Sequence, residues 1–166
     1  METQLHWYKK WYESQYQLFS DEQEIGEISP VAFSSKTIAC MNGRKYIFKP
    51  KGFLLKEIDI LDANSMEQVG KIYFIGVGIK GVIILDAKET YQLRCDNLFT
   101  ARWTISHNRQ EMITYTGNHM RGKIKTNFSN QVLLLAGLYA GIFQWRKLAF
   151  LLIIFVPLIV ILLRTV

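Results

Sequence analysis

The sequence "LLLAGLYAGIFQWRKLAFLLIIFVPLIVILLRTV", from Leu133 to Val166, decides how this chain can fold. It is apolar almost throughout, and its main interruption is the polar group at 144–147. Three structures fit such a segment: one long membrane span, two short spans, or a buried core helix followed by a membrane anchor. The residues before it decide among them, because a core helix needs a body that can enclose it.

The body consists of short apolar segments separated by turn residues, and it is long enough, at about 130 residues, for a single hydrophobic core. No long amphipathic helix interrupts these segments. Parallel strands need crossover helices, so the strands are predicted to be antiparallel. The predicted strands are 16–19, 25–28, 37–41, 45–49, 53–56, 58–62, 68–75, 81–85, 90–94, 100–106, 111–116 and 121–126.

The strands follow a repeat. Ile25, Val69 and Ile113 lie 44 residues apart, and each follows an apolar strand and a polar turn. Three units of four strands make one sheet of twelve, and closure of that sheet removes its exposed edges. The lumen of so large a barrel is too wide for side chains alone to fill. The predicted fold class is therefore mainly β, a closed barrel of about twelve antiparallel strands whose lumen holds another element.

The sequence contains no pattern typical of catalysis. Gly76, Gly78 and Gly81 fit the spacing G-x-G-x-x-G, but a strand follows them where a dinucleotide site needs a helix. Cys40 and Cys95 form no C-x-x-C pair, and the three histidines are scattered. We therefore expect no catalytic residue, no metal site and no cofactor, and we predict that the protein is not an enzyme.

Several short segments resemble a known family. They are "EIGEI" (24–28), "QVGKI" (68–72), the hairpin strands "KYIFK" (45–49) and "TYQLR" (90–94), and "SNQVLLLAGLYAGIF" (129–143). Residues 16–145 resemble the tubby C-terminal-like group, which includes tubby domains, phospholipid scramblases and LURP-one-related proteins. The resemblance implies a twelve-stranded barrel wrapped around a central hydrophobic helix, and basic surface residues that bind lipid headgroups.

The central helix is predicted at 131–143, within a barrel domain of 16–145 that follows an N-terminal segment, 1–15. Thirteen residues form a helix of about 20 Å, which suits a barrel lumen better than a hydrocarbon core of about 30 Å. Ala136, Gly137, Ala140 and Gly141 form a ridge of small residues, as expected of a helix crowded by strands. The alternative is a G-x-x-x-G face for helix pairing in a membrane.

Residues 148–163 are predicted to form a C-terminal membrane-anchor helix, since they contain no polar side chain. Trp145, Arg146, Lys147 and Arg164 flank it, and Pro157 is expected to kink it. This helix is expected to anchor the protein in a membrane by its C-terminus. Because the N-terminus has no secretory signal, the β domain is expected to lie on the cytoplasmic side. Two alternatives stay open: a hairpin of two spans, and a buried helix at an oligomer interface.

The predicted function is that of a non-catalytic, membrane-associated β-barrel module that contacts anionic lipid headgroups or a protein partner in the membrane. Alternate residues of a strand share one face, so two basic stripes are the candidate headgroup sites: Lys45, Lys49 and Lys51, and Arg121, Lys123 and Lys125. Solvated strand faces are the simpler interpretation. A scramblase-like lipid transporter is the alternative function, although 121–131 lacks the acidic calcium-binding segment of that family. Nucleic acid is not an expected partner.

Overall fold

The computed structural model describes residues 3–52, 56–75, 80–85, 89–97 and 102–164. They form a closed barrel of twelve antiparallel strands and one C-terminal helix, which confirms the predicted fold class. Each strand pairs with its neighbours in sequence, and the first strand pairs with the last to close the barrel. The strands are β1 Thr3–Tyr8, β2 Tyr16–Ser20, β3 Gln23–Pro30, β4 Thr37–Met41, β5 Arg44–Lys51, β6 Glu57–Asp62, β7 Gln68–Ile75, β8 Lys80–Leu85, β9 Thr90–Asn97, β10 Arg102–His107, β11 Gln110–Gly117 and β12 Arg121–Thr126.

The strand that closes the barrel lies in the predicted N-terminal segment, 1–15. Leu5 and Trp7 of β1 are buried and alternate with more exposed neighbours. Strand β1 pairs with β12 on one side and with β2 on the other. The barrel therefore begins at Thr3 rather than at residue 16. The strand predicted at 53–56 is not observed at Lys56, and 53–55 lie outside the described residues.

Helix α1 runs from Gln131 to Arg164, and its 34 residues span about 51 Å. Asn130 caps its first turn, because its Oδ1 accepts a hydrogen bond from the amide of Leu133 at 3.1 Å. Every residue from Leu133 to Ala140 is buried, although the helix turns through all directions over that length. Such burial on all sides is what the predicted central helix at 131–143 requires.

Residues 144–147, which separate the helices predicted at 131–143 and 148–163, are themselves helical, and α1 continues through them without interruption. None of these four residues is a glycine or a proline, so nothing local ends the helix there. A hairpin of two spans needs a chain reversal at this point, and a continuous helix contains none. No helix in the described part of the chain is both long and apolar enough to cross a membrane.

Aromatic side chains hold the helix in the lumen. The Trp103 indole N–H donates a hydrogen bond to the carbonyl of Gly137 at 3.0 Å, and the Tyr115 hydroxyl donates one to the carbonyl of Leu134 at 2.8 Å. The rings of Trp103 and Tyr115 stack with their centroids 5.2 Å apart. A buried ring with a polar atom needs such a partner, and the helix backbone supplies it.

The ridge of small residues explains how these rings reach the helix. A Cβ on Gly137 would lie 2.7 Å from Tyr115 Cζ, and a Cβ on Gly141 would lie 2.7 Å from Trp103 Cε2. Both distances are too short for van der Waals contact, so only glycine lets the rings lie directly on the backbone. The ridge is therefore a packing surface inside the barrel, and the G-x-x-x-G membrane interpretation is not needed for it.

Buried tyrosines make the fold sensitive to high pH. Burial raises the pKa of Tyr115 well above its usual value, and it also raises the pKa of Tyr139 and Tyr16. Below about pH 10 these phenols are neutral in both the folded and the unfolded protein. Above about pH 10 they ionise readily only in the unfolded protein. We expect the free energy of unfolding to fall above about pH 10, by up to about 1.4 kcal/mol per pH unit for each of these tyrosines until the pH passes its pKa in the folded protein. Urea unfolding in mild detergent between pH 9 and 12 measures this fall.

The control for this prediction is Tyr115→Phe, which removes one buried phenol but keeps the ring. Its stability at pH 8 should be lower, because the hydrogen bond to Leu134 is lost. Its decline above about pH 10 should be shallower than that of the parent, since one fewer group titrates. Equal slopes in the two proteins would contradict the assignment to Tyr115.

Candidate functional site

The two ends of the barrel are distinct. Helix α1 starts at the end where β12 finishes, and it leaves at the end where β11 is connected to β12. We call the second one the exit end: it comprises residues 144–147 of the helix and the described residues where β1, β3, β5, β7, β9 and β11 end and β2, β4, β6, β8, β10 and β12 begin. The rings of His119 and Trp145, 6.4 Å apart between centroids, mark the point where the helix passes the β11–β12 connection.

The first predicted basic stripe lies on the outer face of β5. Lys45, Lys49 and Lys51 are all exposed, and the inward residues Tyr46 and Phe48 between them are buried. The strand is thus regular, as the prediction of a shared face required. The stripe runs along the wall from the opposite end of the barrel, at Lys45, to the exit end, at Lys51.

One member of this stripe is engaged by acids. Lys51 forms an ion pair with the buried carboxylate of Asp59 on the next strand, and Lys71 Nζ lies 3.9 Å from the same carboxylate. Lys71 also donates a hydrogen bond to Glu57 at 2.9 Å, which raises the pKa of its ammonium group. The charge of Lys51 is therefore largely balanced, and Lys45 and Lys49 carry the net positive charge of the stripe.

The second predicted stripe, Arg121, Lys123 and Lys125, lies on the outer face of β12. All three side chains are exposed and alternate with Gly122 and the buried Ile124. Beside this stripe is an open groove of about 410 Å³, whose lining includes side chains of β10, β11 and β12.

The barrel keeps the two stripes apart. From β12 the strand order runs through β1, β2, β3 and β4 to β5, which is five of twelve steps around the wall. The stripes therefore face nearly opposite directions, and one flat surface cannot contact both along their length. Their ends at Lys51 and Arg121 share the exit end of the barrel, and their other ends, at Lys45 and Lys125, share the opposite end.

Charge is unevenly distributed along the barrel axis. The exit end carries a ring of basic residues with few acids, and three of these acids are paired: Glu13 with Lys10, Glu57 with Lys71, and Asp59 with Lys51. Its bases are Lys9, Lys10, Lys36, Lys51, Lys56, Lys80, Arg121, Arg146 and Lys147. The opposite end is richer in acids, namely Asp21, Glu22, Glu24, Asp62, Glu67, Glu89 and Glu111, with the bases Arg44, Lys45, Arg109 and Lys125. This polarity depends on the topology and not on any single segment.

Three of the four predicted membrane-flanking residues, Trp145, Arg146 and Lys147, lie at this same end. Arg146 is exposed and close enough to Tyr16 and Tyr139 for its charge to offset part of the pKa rise that burial causes in both phenols. Trp145 is half-buried against His119. The side chain of Arg164 lies outside the described residues. The exit of the helix from the barrel is thus surrounded by bases.

The sequence analysis missed Lys9 and Lys10, because it predicted no strand in the N-terminal segment, 1–15. The alternation of Leu5 and Trp7 with His6 and Tyr8 was the available signal, since it is typical of a half-buried strand. Had that strand been recognised, the two lysines would have followed as the start of its connecting loop. Lys36 lies in the β3–β4 connection, and nothing in its local sequence indicates the end of the barrel at which it lies.

Neither catalysis nor metal binding has visible support in the described ranges. No group of three or more His, Cys, Asp or Glu side chains among them is arranged to hold a metal ion. Cys40 and Cys95 are not joined by a disulfide and lie on separate strands. Residues 76–79 of the glycine-rich segment lie outside the described residues, and the strand β8 starts directly after them.

Comparison with known proteins adds no identification: no family model, no curated protein and no solved structure matches the chain. The resemblance to the tubby C-terminal-like group therefore stays a prediction. Function has to be argued from the geometry and charge of the barrel itself.

Proposed function

We propose that this protein is a non-catalytic, membrane-associated β-barrel module whose exit end faces an anionic lipid surface. The observation that carries the proposal is that the helix leaves the barrel at its basic end. Residues 148–163, which contain no polar side chain, therefore continue from the centre of the ring of lysines and arginines. An apolar segment and a basic surface at one end together fit an anionic bilayer.

The electrostatic part of the proposal follows from the arrangement of the charges. A basic residue close to an anionic membrane contributes on the order of 1 kcal/mol, and this falls off within about 10 Å at ordinary salt. When a flat membrane lies against the exit end, all the loop lysines of that end are within this distance of its surface at the same time. The acidic end then points away from the membrane, so the charge distribution itself orients the barrel.

The apolar part concerns the extension of α1 at 148–163. Its 16 residues form a helix of about 24 Å, shorter than a typical hydrocarbon core of about 30 Å. Basic flanks that reach to the headgroups and local thinning of the bilayer reduce this difference. Most side chains of the extension lie outside the described residues. The proposal that it enters the bilayer therefore rests on its apolar sequence. Arg146 and Lys147 beside it favour a cytoplasmic barrel by the positive-inside rule.

Replacing apolar residues of the extension tests membrane association. The full-length variant Leu152→Gln, Phe155→Gln, Ile159→Gln and Leu162→Gln, called here the polar-extension variant, should move from the membrane to the soluble fraction of cells. Buried amides without partners are costly in hydrocarbon. The parent should stay with membranes after a high-salt wash, because insertion does not depend on charge. A parent protein that is found in the soluble fraction would contradict the proposal.

The polar-extension variant also allows the lipid surface to be tested. We expect it to bind phosphatidylcholine vesicles that contain phosphatidylserine, not vesicles of phosphatidylcholine alone, and to dissociate as salt rises. Charge reversal at the exit end, Lys36→Glu with Lys56→Glu and Lys80→Glu, should weaken this binding at least tenfold.

The matched control reverses the same number of charges at the opposite end, with Arg44→Glu, Lys45→Glu and Arg109→Glu. The net charge of the two variants is identical, so only the position of the change differs. The control should retain more of the binding if the barrel contacts the membrane end-on. Equal losses in both variants would rule out an end-on orientation, and equal binding to both vesicle types would rule out headgroup contact.

A further inference from the structure

Large apolar side chains that are exposed to solvent concentrate at the exit end. Those in or beside its connections are Tyr8, Trp11, Tyr12, Phe33 and Ile75, whereas Met66 is the one in a turn at the opposite end among the described residues. Trp11 is 83% exposed and Tyr12 is 65% exposed, which is unusual for side chains of this size. The apolar residues therefore accompany the ring of bases rather than lying scattered over the surface.

The β1–β2 connection holds its two rings in a defined arrangement. Trp11 and Tyr12 meet edge to face with their centroids 5.5 Å apart. Lys10 Nζ lies 5.8 Å from the Tyr12 ring and forms an ion pair with Glu13 at 2.9 Å. The amide of Lys9 donates to the carbonyl of Met120 at 2.7 Å, which fastens this loop to the β11–β12 connection. The loop is thus tied down at its base while its rings point into solvent.

The β3–β4 connection presents Phe33 in a similar way. Its ends are joined by the hydrogen bond from the amide of Val31 to the carbonyl of Lys36, at 3.0 Å, so Phe33 lies at the apex of a tight loop. Phe33 has a φ of 56° and is fully exposed. Glycine or asparagine suits that backbone conformation far better than a bulky aromatic residue. A turn alone therefore does not explain the choice of phenylalanine.

The chemistry of these loop tips fits the boundary between lipid headgroups and acyl chains. Tryptophan and tyrosine combine an apolar ring with a polar atom and are enriched at that depth of a bilayer. Lys36, next to the β3–β4 apex, supplies a charge that complements anionic headgroups, whereas the charge of Lys10 is balanced by Glu13. The extension of α1 leaves from the same end, so a bilayer that receives it also meets both loops.

We propose that Trp11, Tyr12 and Phe33 insert as a wedge into the headgroup boundary of an anionic bilayer when the barrel docks end-on. This inference rests on the proposed function, since it requires the exit end to face lipid. The proposed function needs only electrostatic attraction between the bases and the lipid headgroups. The present inference adds that the aromatic side chains of the loops enter the bilayer.

The test uses the full-length polar-extension variant and vesicles of phosphatidylcholine with about a third phosphatidylserine, a strongly anionic surface. An environment-sensitive fluorophore is attached to a single cysteine at position 12 or 33, in a background with Cys40→Ser and Cys95→Ser. On vesicle binding, its emission should shift to the blue and be quenched by lipids brominated along their acyl chains. A fluorophore at position 66 is the control, because Met66 is an exposed turn residue with a φ of 59° at the opposite end.

Affinity provides a second readout. Changing Trp11, Tyr12 and Phe33 together to serine should weaken vesicle binding at least tenfold, while Met66→Ser should leave it unchanged. The free energy of unfolding in urea should stay the same in both variants, since these side chains lie outside the core.

The outcomes separate this inference from the proposed function. Salt-dependent binding without a blue shift at positions 12 and 33, and with unchanged affinity of the triple serine variant, would overturn insertion but retain end-on docking. The exposed rings would then be better explained as a contact for a protein partner. No binding to anionic vesicles would overturn both.

Discussion

The Leu138→Asp variant is expected to lose the folded barrel altogether. Leu138 is fully buried in the part of α1 that fills the lumen, and the buried side chains that the structure describes include no basic residue. A carboxyl group there has no charge partner, and its burial costs several kcal/mol even when it is protonated. A domain of this size has a total stability of about 5–15 kcal/mol. Loss of the helix also empties the lumen, so the strands cannot stay closed around it.

The measurement is near-ultraviolet circular dichroism and resistance to protease of the full-length protein in mild detergent. The signals to follow are those of the packed aromatic pairs, Trp103 with Tyr115 and Phe48 with Tyr139. Leu138→Met is the matched control, because it keeps the volume and should cost less than about 1.5 kcal/mol. A Leu138→Asp protein that resists protease as well as its parent would show that the segment does not fill the barrel.

The second large effect is expected at Trp103, whose replacement by alanine should lower the free energy of unfolding by about 3–5 kcal/mol. The indole is buried, stacks on Tyr115, and lies 5.7 Å from the ring of Trp7 between centroids. Its N–H donates to the carbonyl of Gly137, so the change also removes a buried hydrogen bond. The cavity left behind adjoins the small-residue ridge of the helix. Urea unfolding of the full-length protein measures the loss.

A double-mutant cycle tests whether Trp103 acts through the helix. Gly141→Leu alone should destabilise the fold, because a Cβ at that position would lie 2.7 Å from Trp103 Cε2. In the Trp103→Ala background the same leucine should occupy part of the cavity and cost less, or restore stability. The two effects are then strongly non-additive. Additive effects would contradict a direct contact between this ring and the glycine ridge.

Much of the fold could be predicted because it depends on local patterns. Strand alternation predicted eleven of the twelve observed strands, several of them to the residue, as at 37–41, 68–75 and 121–126. The apolar run at 131–143 predicted the core helix, since a barrel of this size must be filled. Strand β1 was missed because two buried residues, Leu5 and Trp7, are a weak signal without knowledge of their partners. The barrel supplies those partners through pairing with β12, more than a hundred residues away.

The candidate site was less accessible to prediction. The bases of both stripes were identified as surface residues, and the structure exposes all six. Their mutual position was not predictable, because the number of strands between β5 and β12 around the wall depends on how the sheet closes. The rings at Trp11 and Phe33 lie in loops whose sequences contain no motif. They acquire a common direction only because β1–β2 and β3–β4 turn at the same end of the barrel.

The sequence by itself determined eleven of the twelve strands, the residues that face inward along them, and the helix of small and apolar residues that fills their lumen. These properties depend on alternation and length over a few residues, and hydrophobic burial acts on them directly. The tertiary structure alone decided that 144–147 continue one helix, that the two stripes lie on opposite walls, and that bases, aromatic loop tips and the helix extension share one end. The reason is that pairings such as Thr3 with Thr126 join distant residues, and their register depends on the whole closed sheet rather than on any local pattern.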